Sequence, residues 1–301
     1  MTILPSGLPT HENTPPTTKR YSGRDFSAQD LAFIRTLIAD NPACTRADLS
    51  RMACQALGWH KADGGLKEMS CRVAMLRMQD DGVIQLPAPT GERPTSRIAF
   101  TQRTAPQMVI ERPANRLAPL QFCPVVSRAQ SRLWNEYIHR YHYLGYKTLP
   151  GAQLRYFVTS GDQFVALLGF GASAWQAAPR DKYIGWSHDQ RKAQLHRVVN
   201  NARFLILPWV RSKNLASMIL SMVAKRLPHD WETRYHYRPV LLETFVEKDR
   251  FVGTSYKAAN WTYVGQTKGR GKLGPAGKQS VPIKDMWLYP LTRDFRATLI
   301  Q

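Results

Sequence analysis

Three sets of residues have types and spacings from which chemistry can be built. The first is the turn inside "FLILPWVRSKNLASMIL", residues 204–220. An apolar run at 204–210 is expected as a buried strand, and Leu215, Met218, Ile219, Met222 and Val223 recur at helical spacing. Between them stand Arg211, Ser212, Lys213 and Asn214. Unpaired N–H groups of a helix's first turn, beside two cations, make an anion site, and phosphate is its natural occupant. The second set is acidic. Glu243 is a carboxylate inside the apolar run "RPVLLETFV"; with Asp230 or Asp249 it would hold Mg²⁺ between the attacking and leaving oxygens of a phosphodiester. The same glutamate also reads as a core acid neutralised by an arginine. The third set is "HRYHYLGYKTLPGAQ", where aromatics alternate with His139, Arg140, His142 and Lys147. His142 is its candidate catalytic residue, while the aromatics read either as a stacking platform for single-stranded bases or as packed core. Ser187, His188 and Asp189 are adjacent in sequence, so their side chains do not converge as a hydrolytic triad. Cys44, Cys54, Cys71 and Cys123 show no CxxC pairing, so neither a zinc site nor a disulfide framework is indicated, and no metal ligands are assigned.

The elements that must position these residues follow from pattern and charge. Lysine plus arginine number 42 against 22 acidic residues in 301, a formal charge of +20. Such an excess points to a polyanionic partner, with DNA foremost. No apolar run approaches the roughly 18 residues of a membrane span, and the start lacks a signal-peptide core. The expectation is a cytoplasmic protein without a membrane partner. Residues 1–25, rich in proline and threonine, are expected to be a disordered leader. At 26–101, "SAQD" and "TRAD" are capping boxes opening two helices, and a third is expected over 66–78 with Met69, Val73 and Leu76 inward. Short apolar strands at 83–86 and 97–101 complete a winged-helix layout, with Arg46, Arg51, Lys67 and Arg72 as candidate DNA contacts. The same pattern also fits a small helical docking module. Residues 102–122, with several prolines, read as a linker.

The remainder, 123–301, is expected as a mixed α/β domain: a helix at 127–140, a hairpin at 154–175, and a loop and helix before the strand at 204. Then come the helix at 215–227, a turn at "PHDWETRY", the strand around Glu243 and a short helix at 254–260. Asn200, Asn201 and Arg203 read either as pocket lining or as a helix end and sheet-edge cover. Arg203, Lys257, Lys268, Arg270 and Lys272 extend the candidate DNA-binding set, the last three in a Gly/Lys/Arg-rich tail.

This order of elements resembles the GNAT-type N-acetyltransferase fold. In that family a turn of the form Arg/Gln-x-x-Gly-x-Gly/Ala holds the pyrophosphate of acetyl-CoA, and Arg211 and Ala216 match it while Asn214 replaces a glycine. The segment "SYKAANWTYVG" is similar to the region carrying the family's general acid, which makes Tyr256 the implied proton donor. Arg211, Lys213, Asn214 and Ala216 would then line a cofactor site. A closer resemblance lies in "HYLGY", "YIGWS", "NNARFLILPWVRSKNLAS", "LLETFV" and "YKAANWTYVGQTKGRGK", which are similar to the Druantia anti-phage system protein DruA family over residues 26–291. It implies a DNA-associated protein of a defence system or mobile element, beside partners such as a helicase or transposase. Three readings stay open: DNA binding without catalysis, acyl transfer using acetyl-CoA, and Mg²⁺-dependent cleavage. The replaced glycine sets the expectation that acetyl-CoA binds only weakly and that the turn meets nucleic-acid phosphate.

Overall fold

The computed structural model describes residues 18–90, 98–269 and 281–301. The chain divides into two units, Met1–Thr95 and Ser96–Gln301. In the first, strands β1 (Lys19–Tyr21) and β2 (Arg24–Phe26) pair antiparallel around Ser22 and Gly23, both at positive φ. Residues 19–25 are therefore not part of a disordered leader, since Tyr21 and Phe26 are core residues; the rest of that expectation, residues 1–17, lies outside the described residues. Helices α1 (Ala28–Asp40) and α2 (Arg46–Ala56) open on the two capping boxes, Ser27 with Asp30 and Thr45 with Asp48. Helix α3 (Glu68–Asp80) is rotated from its expected orientation. It buries Cys71, Ala74, Met75 and Met78, whereas Met69 and Val73 are 56% and 38% exposed. Small residues on both helices, among them Ala53 and Cys54 facing this side of the core, allow close approach, which outweighs the larger apolar groups.

The expected wing is not found among the described residues. Ile84 and Leu86 are buried, yet 83–86 runs as loop, anchored where the Leu86 N–H donates to Gln79 Oε1 at 3.1 Å. Residues 98–101 are not strand, and Arg97 lies outside the described residues.

The second unit holds a seven-stranded mixed sheet. Its elements run β3 (Leu120–Pro124), α4 (Arg128–Tyr141), β4 (Gln153–Ser160), β5 (Gln163–Ala172), α5 (Ala178–Ile184), α6 (His188–Gln194) and β6 (Val198–Ile206). They continue with α7 (Leu215–Tyr235), β7 (Leu241–Glu247), α8 (Thr254–Ala258), β8 (Thr262–Gln266), β9 (Lys284–Pro290) and α9 (Phe295–Leu299). The order across the sheet is β3-β4-β5-β6-β7-β9-β8, and only the β6–β7 step is parallel. This α/β arrangement is the one the acetyltransferase resemblance implies.

Four expectations about this unit need correction. The supposed linker packs against it: Ile110 bridges Val210, Ala114 is buried, and β3 is an edge strand on β4. The central strand begins at Val198, so Asn200 and Asn201 lie within it and do not end a helix. Helix α7 continues through "PHDWETRY" because Leu227, Pro228 and Trp231 are all buried, offsetting the hydrogen bond lost at Pro228. Met222, expected inward on it, is 38% exposed.

Among the described residues, no helix is long and apolar enough to cross a membrane.

Candidate functional site at the fork between two strands

The parallel pair β6–β7 is joined for only three rungs, Val198 with Leu241, Val199 with Leu242 and Asn200 with Glu243. Beyond Asn200 the strands part. β6 stays on β5 and β7 on β9, so the ladder at the middle of the sheet is split there and side chains of both strands and of α8 meet at the split. A bulge sharpens the divergence: Gly169 faces Arg203 and Phe170 faces Asn201, leaving Ala202 without a partner on β5. Ends of parallel strands at such a switch are where open α/β sheets gather polar residues.

Tyr256 reaches the fork from α8. Its hydroxyl donates to Asn201 Oδ1 at 2.8 Å, and Thr244 Oγ1 lies 3.4 Å away while donating to the Asn201 carbonyl at 3.0 Å. The Asn201 amide donates in turn to the carbonyls of Arg203 (3.2 Å) and Gly169 (3.4 Å). Gly253 makes this placement possible. It precedes α8 at φ +74, and a Cβ there would come within 2.8 Å of the Trp287 ring. Burial pushes the Tyr256 phenol up to about 12. A proton so held, and already committed to Asn201, is poorly placed to be given to a leaving thiolate.

Glu243 is fully occupied. It is completely buried; Oε2 accepts from Arg180 Nη1 at 2.8 Å and Oε1 from the Ala174 N–H at 2.8 Å. Arg180 is equally buried, packs 5.4 Å from the Trp186 ring, and also binds Asp181 (2.8 Å), which receives Arg191 at 3.2 Å. Burial pushes the Glu243 carboxyl up, and Arg180 and the Ala174 amide pull it back. The metal reading loses its ligands here. Asp230 is taken by Arg226 (2.6 Å) and by the Tyr156 hydroxyl (2.9 Å), and among the described residues no group of three His, Cys, Asp or Glu is placed to hold an ion. Both side-chain oxygens of Glu243 are spent within the fold.

Two residues further along β6 a second set of polar and charged groups begins. Arg203 projects from β6 beside Trp134 of α4, where a Cβ at Gly169 would come within 3.2 Å of both. Burial lowers the affinity of its guanidinium for a proton. His142, just after α4, is driven down to about 4 by burial and then by Arg203. The Leu144 N–H donates to its Nδ1 at 3.2 Å, a bond that suits the neutral ring. Tyr143 stacks on His142 (4.9 Å) and lies 5.0 Å from the Arg250 guanidinium. Lys284 stands opposite Glu247 across β7 and β9; burial disfavours its ammonium, Glu247 favours it, and the charges of Arg203 and Lys147 disfavour it again.

The turn before α7 holds an anion, and it is the protein's own. Arg211 Nη1 pairs with Glu111 Oε1 at 3.0 Å, both side chains well exposed. The Arg211 N–H donates to the Ile110 carbonyl at 2.9 Å, and the Lys213 carbonyl accepts from the Ala114 N–H at 3.2 Å. Segment 110–114 is thus zipped along the turn. Asn214 takes φ +67, the left-handed conformation that a glycine would supply. It reproduces the backbone shape and keeps a side chain in the way. Ala216 sits half-buried in the first turn of α7.

With this geometry in view, the sequence matches the family model of the Druantia protein DruA over residues 92–280, well over half of the chain. The chain belongs to the DruA family. Solved structures similar to this DruA-family chain include a variant of the spermidine N-acetyltransferase of Vibrio cholerae, at 11% identity and TM-score 0.37, covering 57% of this chain and 94% of that one. Another is the polyamine N-acetyltransferase of Drosophila melanogaster, at 9% identity and TM-score 0.37, with coverages of 57% and 100%. The ribosomal-protein-S18-alanine N-acetyltransferase of Escherichia coli follows at 8% identity and TM-score 0.35, with 58% and 95% covered. No curated protein matches the chain in sequence.

In the DruA-family chain the residues do not fit acetyl-CoA at the turn. One of its two cationic side chains, Arg211, already faces Glu111, one of its backbone donors is spent on Ile110, and the Asn214 side chain stands where the cofactor loop has a glycine. The candidate DNA contacts are dispersed. Arg46 donates to the Pro87 carbonyl at 2.7 Å, Arg51 pairs with Asp48, Lys67 is half-buried at the start of α3, and Arg72 is half-buried with its Nε unpartnered. Lys257 and Lys268 are exposed, whereas Arg270 and Lys272 lie outside the described residues. Sequence reasoning missed Lys284 and Arg180, which lie in elements with no motif to mark them, and passed over Thr244 beside Glu243 in "LLETFV".

Proposed function

We propose that this DruA-family protein binds DNA as part of an anti-phage defence system or mobile element, and that it does so without chemistry at Glu243. One observation carries the reading. Every ion pair among the described residues uses an arginine, and no lysine side chain takes part in any. The scaffold consumes planar guanidinium groups and, Lys67 and Lys284 aside, leaves the described ammonium groups exposed, the chemistry of sequence-independent phosphate contact. With a net charge of +20, that surface is suited to a polyanion.

The test is fluorescence anisotropy of the whole chain with random duplex and single-stranded DNA, from low to physiological salt. Affinity should fall steeply with salt, and Arg211→Ala with Lys213→Ala should reduce the slope by about one to two units. A flat salt response removes the reading. A second reading, acyl transfer, is favoured only by the left-handed backbone of Asn214, which gives the turn the shape of a cofactor loop. Acetyl-CoA should bind no tighter than about millimolar; micromolar binding by calorimetry, abolished by the same double change, would restore Tyr256 as proton donor.

A further inference from the structure

Arg203 is only 9% exposed, yet no carboxylate pairs with it among the described residues. Its Nη1 reaches the carbonyl of its own neighbour Ala202 at 2.7 Å, and its Nε is buried without an acceptor. A guanidinium does not shed its proton under ordinary conditions, so an uncompensated charge stays inside the fork. Its charge bears on His142 and Lys284, Tyr143 bears on it, and Lys147 bears on Lys284 in turn. Glu247, the carboxylate opposite Lys284, lies 3.5 Å from Arg250 and is thereby partly neutralised. A buried orphan donor among cations from β6, β9 and the segment after α4 is a preorganised anion site.

We infer that the fork between β6 and β7 holds a phosphomonoester group through Arg203 and Lys284. The depth of Arg203 decides against the backbone of a duplex, whose phosphates lie on a convex surface and meet exposed side chains. A terminal phosphate projects from its nucleotide and carries about two charges, so it can enter and neutralise the pair. Two sources share that chemistry: a free nucleotide and the phosphorylated end of a DNA strand. The strand-end form rests on the DNA-binding reading; the free-nucleotide form stands without it.

Melting curves and calorimetry on the whole chain, at matched ionic strength, should use inorganic phosphate, a deoxynucleoside 5′-monophosphate, and one oligonucleotide with and without a 5′-phosphate. Phosphate and the monophosphate should raise the melting temperature against a chloride control. Their affinity should fall at least tenfold in Arg203→Met and several-fold in Lys284→Met. Without ligand, Arg203→Met should melt no lower than the unaltered protein, because it removes an unpaired buried charge; a melting point many degrees lower would make Arg203 scaffolding. If that variant does not fold, an unchanged phosphate affinity in Lys284→Met overturns the inference. A 5′-phosphate that tightens strand binding only when Arg203 is present assigns the strand end. Equal strand affinities, with the monophosphate held at Arg203, assign a free nucleotide. Strands that bind while phosphate and monophosphate do not would remove this inference and leave DNA binding intact; the reverse result would remove DNA binding and leave this inference intact.

Discussion

Glu243 on β7 and Arg203 on β6 both carry charge where water scarcely reaches, on the two strands that part at the fork, and they are supported differently. Every oxygen of Glu243 has a donor, and its arginine is in turn shared with Asp181. Arg203 has one uncharged acceptor, the carbonyl beside it, and a buried nitrogen with none. A satisfied buried charge explains itself by the fold it holds. An unsatisfied one is a standing cost of several kcal/mol, which a bound anion would offset. The glutamate looked the more chemical of the two because acids in apolar strands are rare. What distinguishes them is the partner each possesses.

The largest expected effect breaks the satisfied half of this comparison. Glu243→Gln takes from buried Arg180 one of its two carboxylates, leaving Asp181 alone to balance it, and should cost about 3–5 kcal/mol in denaturant unfolding. DNA affinity of the folded fraction should stay unchanged. A variant that keeps its stability but loses a Mg²⁺-dependent nicking activity would return Glu243 to catalysis.

The next effect comes from the unsatisfied half. His142 titrates near 4 in the folded chain against about 6.5 in an unfolded one. As pH falls below about 6.5 the unfolded chain takes up a proton that the folded chain refuses, so stability falls until both are protonated below about 4. The full loss is about 3 kcal/mol, from roughly 1.4 kcal/mol per unit. Facing the ring are Arg203, Tyr143 and the Leu144 amide. His142→Gln should flatten this acid limb in urea melts at a series of pH values; an unchanged limb would place the ring in water.

The smallest effect contrasts the buried fork with the exposed turn. Asn214 sits at φ +67, so Asn214→Ala should cost about 1 kcal/mol of strain and Asn214→Gly almost nothing. If Asn214→Gly also brought acetyl-CoA binding from millimolar to micromolar, the side chain alone would have been excluding the cofactor.

Much of the scaffold was legible because its signals are local. Ser27 with Asp30, Thr45 with Asp48 and Ser127 with Gln130 close capping boxes across three residues, and helices α1, α2 and α4 begin where those pairs stand. The β4–β5 hairpin turns at Gly161, again a short-range event. Family membership and the charge excess likewise needed no coordinates. The rotation of α3 was hidden because which apolar face goes inward depends on what packs there, and small residues win where helices come close.

The amino-acid sequence by itself determined helix starts, the hairpin, the charge excess and the family. Tertiary structure alone decided what each polar residue does, since its partner comes from far along the chain. Glu243 meets Arg180 across 63 residues, and Tyr256 meets Asn201 across 55. Segment 110–114 reads as a linker until the backbone of residues 209–213 bonds to it. The fork exists because two strands pair for three rungs and then choose different neighbours. No local pattern encodes that choice, because it is set by which strand edges remain unpaired once the whole sheet is assembled.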